Sequence, residues 1–322
     1  MSSTDKSEID GSFSTHLPTR ILYRSGIQGF TKAVGFKSAS VTASTVNLIL
    51  YVHSGEIMKI GVCIKPVPNS DARITIASSG NGVDGSVYSK LMVNTYDECA
   101  IEAAVQLKSQ GVAEEVIVLT VRKNEKSTKD QMITALAKGA DRAVVVDDSD
   151  FGGTDCLGVS RVLVALAQKE GVEVLLCGKQ SMDGDNAQVP SMLGELLDWV
   201  TVPVISKLEV EGNEFTAHKD LGSGTTAIVK GEFPAVFSCD KNLNKPRNPN
   251  LKAKMAAKKK PIEYLSLGDL DLLADDIASS TVAEVNWSLP PKRGECKFID
   301  AGNVDAAVRE LLSLLKNEAK VL

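Results

Sequence analysis

The stretch Gly178-Lys179-Gln180-Ser181-Met182-Asp183-Gly184-Asp185-Asn186-Ala187-Gln188-Val189 gathers the residue types best suited to holding a polar ligand. Its small residues let a backbone approach a ligand closely, and its Lys, Asn and Gln side chains offer donors. It follows an apolar run, Val172–Cys177, and leads into a helical pattern over about residues 186–198. A βα loop of this kind aims the free N–H groups of a helix start at whatever sits above the strand, and phosphate suits that position. Asp183 and Asp185 are candidate caps for the helix. The plain alternative is a capped βα connection with no ligand. Neither GxxxxGK[ST] nor GxGxxG occurs here, so two standard phosphate fingerprints are absent. Other chemistries find little support. The three histidines, His16, His53 and His218, are far apart in sequence and form no HExxH, so no metal site is expected. The six cysteines (Cys63, Cys99, Cys156, Cys177, Cys239, Cys296) contain no CxxC, and most sit among apolar residues, which reads as reduced core thiols.

The elements around this loop alternate. Lys59–Lys65 reads as a buried strand, 95–110 as a helix closed by Gly111, and 115–121 as a strand. A helix over 127–138, a strand at Arg142–Val146, a helix over 154–170 and the strand Val172–Cys177 follow. Strands alternating with helices of this length give a doubly wound α/β fold with a mostly parallel sheet. Such a sheet binds ligands at the carboxyl ends of its strands, which points to the loops after Lys65, Val121 and Cys177. Two departures from the alternation are expected. Residues 66–93 suggest a hairpin excursion with short strands at Arg73–Ala77 and Val83–Val87. Lys207–Glu211, Phe215–Lys219 and Thr225–Val229 suggest an antiparallel β excursion, before a buried strand at Ala235–Cys239. Residues 268–322 form a looser C-terminal arm that closes with an amphipathic helix over about 303–316.

The chain of 322 residues has a net charge of -5 and 43% hydrophobic residues, a globular composition that argues against a globally basic nucleic-acid binder. No apolar run approaches the roughly 18 residues that cross a bilayer, so no membrane insertion is expected. Residues 1–57 differ from the rest. Gly11 to Gly55 contain no Asp or Glu, while Arg20, Arg24, Lys32 and Lys37 stand among many Ser and Thr. One reading takes Met58 as the true first residue of a bacterial cytoplasmic protein, since Gly55-Glu56 can be encoded by a ribosome-binding sequence. The other takes a targeting segment, which would put the protein in the mitochondrial matrix.

Several segments, taken in order, resemble the β subunit of the electron transfer flavoproteins. The loop GKQSMDGDNAQV is similar to that family's adenine-nucleotide loop. Met58–Val67 resembles its first strand, Asn94-Thr95-Tyr96-Asp97-Glu98 its Asn-Pro-Tyr/Phe segment, and Thr134–Arg142 a family hallmark. Leu243-Asn244-Lys245-Pro246-Arg247, then Leu251, then Lys258–Pro261 resembles its later basic stretch. The likeness covers about residues 58–270. It implies a nucleotide-binding α/β domain over 58–267. Cys63, Asn94, Thr95, Tyr96 and Asp97, together with Val121, would border an adenosine, and Gly178–Val189 would wrap the phosphate. Three departures stand out: Val189 replaces a common Thr, Asp220–Gly224 replaces an acidic-Gly-Gly signature, and the loop after Val121 is longer and more charged. They leave two nucleotides open, AMP or a second FAD as in electron-bifurcating relatives.

The same resemblance implies a division of labour. The redox FAD would be shared with an α subunit, which the arm over 268–322 would wrap. Residues 245–260 would be a recognition loop for acyl-CoA and other flavin dehydrogenases, with Leu251 as apolar anchor and Arg247, Lys252 and Lys254 steering the encounter. Electrons would pass on to a quinone-linked oxidoreductase. No residue of this chain would be catalytic. A solvated charged face is the plain reading of 245–260; nucleic acid fits poorly, because no aromatic residue interleaves the charges. A stand-alone adenine-nucleotide-binding protein of similar fold is the alternative of a different class.

Overall fold

The computed structural model describes residues 58–322 apart from 70, 81, 150–153, 278–286, 292–295 and 301. Residues 1–57, and with them both readings of the N-terminal segment, lie outside the described residues.

The chain runs β1 (Met58–Cys63), β2 (Pro66–Pro68), β3 (Leu91–Val93), α1 (Thr95–Ser109), β4 (Ala113–Val121), α2 (Lys126–Ala137), β5 (Arg142–Val146), α3 (Cys156–Glu170), β6 (Val174–Gly178) and α4 (Val189–Leu197). It continues through β7 (Val200–Glu211), β8 (Glu214–Gly222), β9 (Thr225–Glu232), β10 (Ala235–Cys239), α5 (Leu251–Ala257), β11 (Ile262–Leu265), α6 (Ala274–Ile277) and α7 (Val304–Asn317). One nine-stranded sheet has the order β11-β5-β4-β1-β6-β10-β7-β8-β9. Pairing is parallel from β11 to β7 and antiparallel for β7 with β8 and β8 with β9. The doubly wound α/β expectation, with its antiparallel excursion, is therefore met.

The parallel strands are buried on both faces, and their side chains alternate between two clusters. Ile60 and Val62 of β1, Val116 and Val118 of β4, and Val174 and Leu176 of β6 pack toward α1 and α2. Cys63, Ile117, Leu119, Leu175 and Cys177 pack toward α3 and α4. This period of two explains why these segments read as continuous apolar runs. Gly61 is small for a reason: a Cβ there would lie 2.8 Å from Leu175 and 3.0 Å from Leu119. Phe215, Phe233 and Phe237 form an aromatic corner where the antiparallel excursion meets the parallel sheet, with Phe215 and Phe237 edge to face at 4.9 Å.

Several boundaries differ from expectation. In the first excursion the paired strands are β2 and β3, at its ends, while Ile76 and Val83 form a single bridge. The stretch expected as a strand at Val83–Val87 instead turns into a short 3₁₀ segment, Gly85–Ser89, because the Asp84 side chain accepts from the Ser86 N–H. β7 begins at Val200 rather than Lys207, since its first half pairs in parallel with β10. Three elements went unread, α5, β11 and the short α6. Asn250 caps α5 by accepting from the Ala253 N–H, and β11 extends the sheet beside β5. The closing helix α7 spans Val304–Asn317, close to expectation.

Phe237 is fully buried. Phe237→Ala is expected to lower unfolding stability by about 3–5 kcal/mol, measured by chemical denaturation; a loss below about 1 kcal/mol would contradict the packing described.

Candidate functional site at the switch point

β1 lies in the middle of the sheet. From it the chain winds outward through β4 and β5, then crosses back to β6 on the other side of β1. That reversal splits the connections between two faces and opens a crevice at the carboxyl ends of β1 and β6. α1 enters the crevice from one face and α4 from the other.

Asp97 ties the crevice together. Its carboxylate accepts from the Lys65 N–H at 2.7 Å and from the Asn94 side-chain amide at 2.8 Å, and the Gly178 N–H also points to it. Lys65 follows β1, Asn94 stands at the N-cap position of α1, and Gly178 ends β6, so one buried side chain joins three elements. Asn94 extends the tie: its amide donates to the Gln180 carbonyl at 2.8 Å and its oxygen accepts from the Met182 N–H at 3.2 Å. The approach of β6 to α1 requires glycine at 178. A Cβ there would lie 2.1 Å from Asp97 Oδ1 and 2.9 Å from the Asp97 backbone nitrogen. On the other side of β1, the Thr120 hydroxyl donates to the Ile64 carbonyl at 2.9 Å, holding the end of β4 level with that of β1.

The loop over 178–189 lies across the crevice mouth. Asp183 and Asp185 do not cap the helix, contrary to the expectation from sequence. The residue at the N-cap of α4 is Gln188, which makes no side-chain cap hydrogen bond. Asp183 is instead paired with the Lys65 ammonium at 2.8 Å, and Asp185 accepts from the Gln180 amide at 2.9 Å. The distance along the chain explains the difference: Asp185 lies three residues before Gln188 and itself adopts φ 50°, which turns the loop before the helix begins. Both carboxylates are thus held by side chains, and no side chain of Gln188 caps the first turn of α4; Pro190 has no N–H, so the Val189 and Ser191 N–H groups are the donors left to face an anion there.

Of the residues expected to border a nucleotide, Cys63, Asn94, Tyr96, Asp97 and Gly178–Met182 come together around the crevice. Cys63 and Cys177 are register partners on β1 and β6, both buried. The Thr95 hydroxyl contacts the Met182 sulfur at 3.1 Å. Val121 ends β4 next in the sheet, and Val189 packs half-buried against the α3 and α4 cluster. Gly184, Asp185, Asn186, Ala187 and Gln188 are exposed along the loop. Lys179 reaches Asp240, 3.5 Å away. Arg247, Leu251, Lys252 and Lys254 lie elsewhere, on the segment after β10. Sequence reasoning missed Lys65, which bridges to Ser181 and Asp183, and Lys241, whose ammonium sits 4.7 Å from the centre of the Tyr96 ring. Lys65 ends the run read as the first strand and could have been found from that position. Among the described residues, no group of three or more His, Cys, Asp or Glu is arranged to hold a metal ion, and no helix is long and apolar enough to cross a membrane.

The family described as "Electron transfer flavoprotein domain" matches residues 88–270. The chain is 34% identical to the electron transfer flavoprotein subunit beta of Bacillus subtilis, over 82% of this chain and 100% of that one. It is 36% identical to the mitochondrial subunit beta of Oryza sativa subsp. japonica, over 82% and 100%. It is 30% identical to subunit CarD of the caffeyl-CoA reductase-Etf complex of Acetobacterium woodii, over 81% and 99%.

Two outcomes follow from the crevice geometry. Gly178→Ala forces β6 away from α1 and is expected to cost about 1–3 kcal/mol of unfolding stability; an unchanged denaturation midpoint would contradict the close approach. The second concerns pH. Burial pushes the Asp97 carboxyl up to about 7 from an ordinary value of 3.8, against the pull of the Lys65 N–H, Asn94 and the Gly178 N–H. The folded state therefore binds this proton more tightly than the unfolded chain. Its stabilising contribution is complete below the unfolded value and is lost as pH rises through about 7. Between about pH 5 and pH 8 the thermal midpoint should fall more steeply in the parent chain than in Asp97→Asn. Equal slopes would refute the shift.

Proposed function

This chain belongs to the electron transfer flavoprotein family as a β-type subunit, and we propose that its switch-point crevice holds an adenine nucleotide, with AMP the first choice. The single observation that carries this reading is the uncapped start of α4 above a crevice closed by Asn94, Asp97 and Gly178. The residues present fit such a ligand. The first turn of α4 suits a phosphate, and the Lys65 ammonium lies at the same mouth. Asp183 and Asp185 would repel a phosphate if left free, but their bonds to Lys65 and Gln180 draw their charge aside. Cys63 and the end of β4 at Val121 offer an apolar wall for the base.

The redox flavin is proposed to be an FAD shared with an α subunit, supplying the electron transfer when bound. The residues of this chain bind, orient and exclude water rather than act as nucleophile or acid. Amphipathic α7 supports the proposal that the C-terminal arm covers such a partner. None of its described residues is buried, and Val304, Val308, Leu311 and Leu312 are exposed along it.

The segment after β10 is proposed to dock electron-donating dehydrogenases, acyl-CoA dehydrogenases among them, with a quinone-linked oxidoreductase as the acceptor downstream. α5 presents Leu251, 77% exposed, and Met255, 54% exposed, one helical turn apart and flanked by Lys252, Lys254, Lys258 and Lys259. An apolar pair ringed by cations suits a partner with an apolar pocket and an acidic rim.

Co-purification with an α subunit, followed by release and identification of the nucleotides, tests the assignment. One FAD and one AMP per heterodimer are expected; two FAD would replace AMP with a second flavin, and no adenine nucleotide would overturn the reading. Leu251→Ala is expected to slow electron transfer from the donor dehydrogenase without releasing the nucleotide. Unchanged transfer kinetics would remove the docking role.

A further inference from the structure

Between β10 and β11 the chain crosses the face carrying α1 and α2, and its two ends are fastened far more firmly than an exposed charged loop needs. At the first end the Asn244 side-chain amide donates to the Cys99 carbonyl of α1 at 2.9 Å. The Arg247 guanidinium then grips Glu102 of α1 with two bonds, Nε to Oε2 at 2.7 Å and Nη2 to Oε1 at 2.9 Å. The Arg247 backbone N–H adds a third, at 3.1 Å. Lys138, just beyond α2, donates its ammonium to the Arg247 carbonyl at 3.0 Å and pairs with Glu98 at 3.1 Å. At the far end the Lys260 ammonium donates to the Leu136 and Ala140 carbonyls, and the Pro261 carbonyl accepts from Ala143 N–H as β11 begins. Between these ends α5 buries only Ala257 and leaves Leu251 and Met255 in solvent.

The burial of the charges is the telling point. The Lys138 side chain is 4% exposed and that of Glu102 6%. Withdrawing an ammonium and a carboxylate from water is costly, and such groups are held in place by their partners. Here the partners include the main chain on both sides of Arg247, so the buried charges fix backbone position and not merely side-chain orientation. The Arg247 guanidinium, 44% exposed, is committed to Glu102 and faces inward along its bonding edge. The steering role expected for it from sequence passes to Lys252 and Lys254, which are exposed on α5.

We propose that Glu102 and Lys138 are positioning residues for partner docking, which fix the main chain at Arg247 so that α5 presents Leu251 already in its docking orientation. The inference rests on the docking reading given above. A preset segment loses less freedom when a partner binds, so the clamp strengthens the encounter without touching the partner. Because it acts through Leu251, its effect must disappear when Leu251 is absent.

The test is a double-mutant cycle in the α/β heterodimer, with an acyl-CoA dehydrogenase as donor and steady-state reduction as readout. Glu102→Gln, which keeps shape and removes charge, is expected to raise the KM for the donor about tenfold. The limiting rate, the flavin content and the nucleotide content should hold. In the Leu251→Ala background the same substitution should add almost nothing. A Glu102→Gln effect that adds in full on top of Leu251→Ala marks a general structural loss and overturns the inference. So does a parent-like KM for Glu102→Gln while Leu251→Ala alone raises it, an outcome that leaves the docking reading standing. If Leu251→Ala leaves KM unchanged, the docking reading fails and the inference fails with it. Should Glu102→Gln not assemble with the α subunit, Lys138→Met runs through the same cycle with the same expectations.

Discussion

The buried carboxylate of Asp97 is the constraint on which the site depends. It accepts from main-chain N–H groups at the ends of β1 and β6 and from Asn94 at the start of α1. A doubly wound sheet opens a crevice at its switch point whatever its sequence, but an open crevice has no fixed width. The Asp97 bonds set that width, and Gly178 is the residue that lets α1 and β6 come close enough for the bonds to form. Asn94 then carries the restraint on to the loop above through Gln180 and Met182. The mouth of the crevice is thereby as defined as its floor.

α1 serves both sites. Its N-terminus holds the loop over 178–189 through Asn94 and Asp97. Farther along, the Cys99 carbonyl and Glu102 hold the segment after β10, and Glu98 pairs with Lys138, whose ammonium reaches the Arg247 carbonyl. Its buried face, from Ala100 to Leu107, packs on the sheet. The small residues Ala100, Ala103 and Ala104 let the helix lie close to the strands, where both sets of bonds can be reached. A single rigid element thus places the proposed ligand crevice and the proposed docking surface in one frame.

Much of this was legible in the sequence. The central strands read plainly because burial on both faces makes them continuous apolar runs, and Arg142–Val146 and Ala235–Cys239 have the boundaries expected. The loop over 178–189 stood out because small and polar residues interrupt that pattern right after a strand. What could not be read depends on contacts between distant residues. The first half of β7 contains Pro203 and half-buried positions, and becomes a strand because β10 lies beside it. α5 was hidden in a run of lysines whose only buried member is Ala257. The preference of Asp183 for Lys65, separated by 118 residues, over the nearby helix start is likewise invisible to local rules. Arg247 looked like a free surface charge until Glu102 was found beneath it.

The central claim is that an adenine nucleotide sits between the ends of β1 and β6, its phosphate at the start of α4. Photolabelling the nucleotide-depleted heterodimer with an 8-azido adenine nucleotide, followed by peptide mapping, tests this most directly. The account predicts labelling confined to peptides containing Cys63, Asn94–Asp97, Val121 and Gly178–Val189, and abolished by excess AMP. Label that maps to the antiparallel strands β7 to β9 or to α7, with these peptides unmodified, would contradict it.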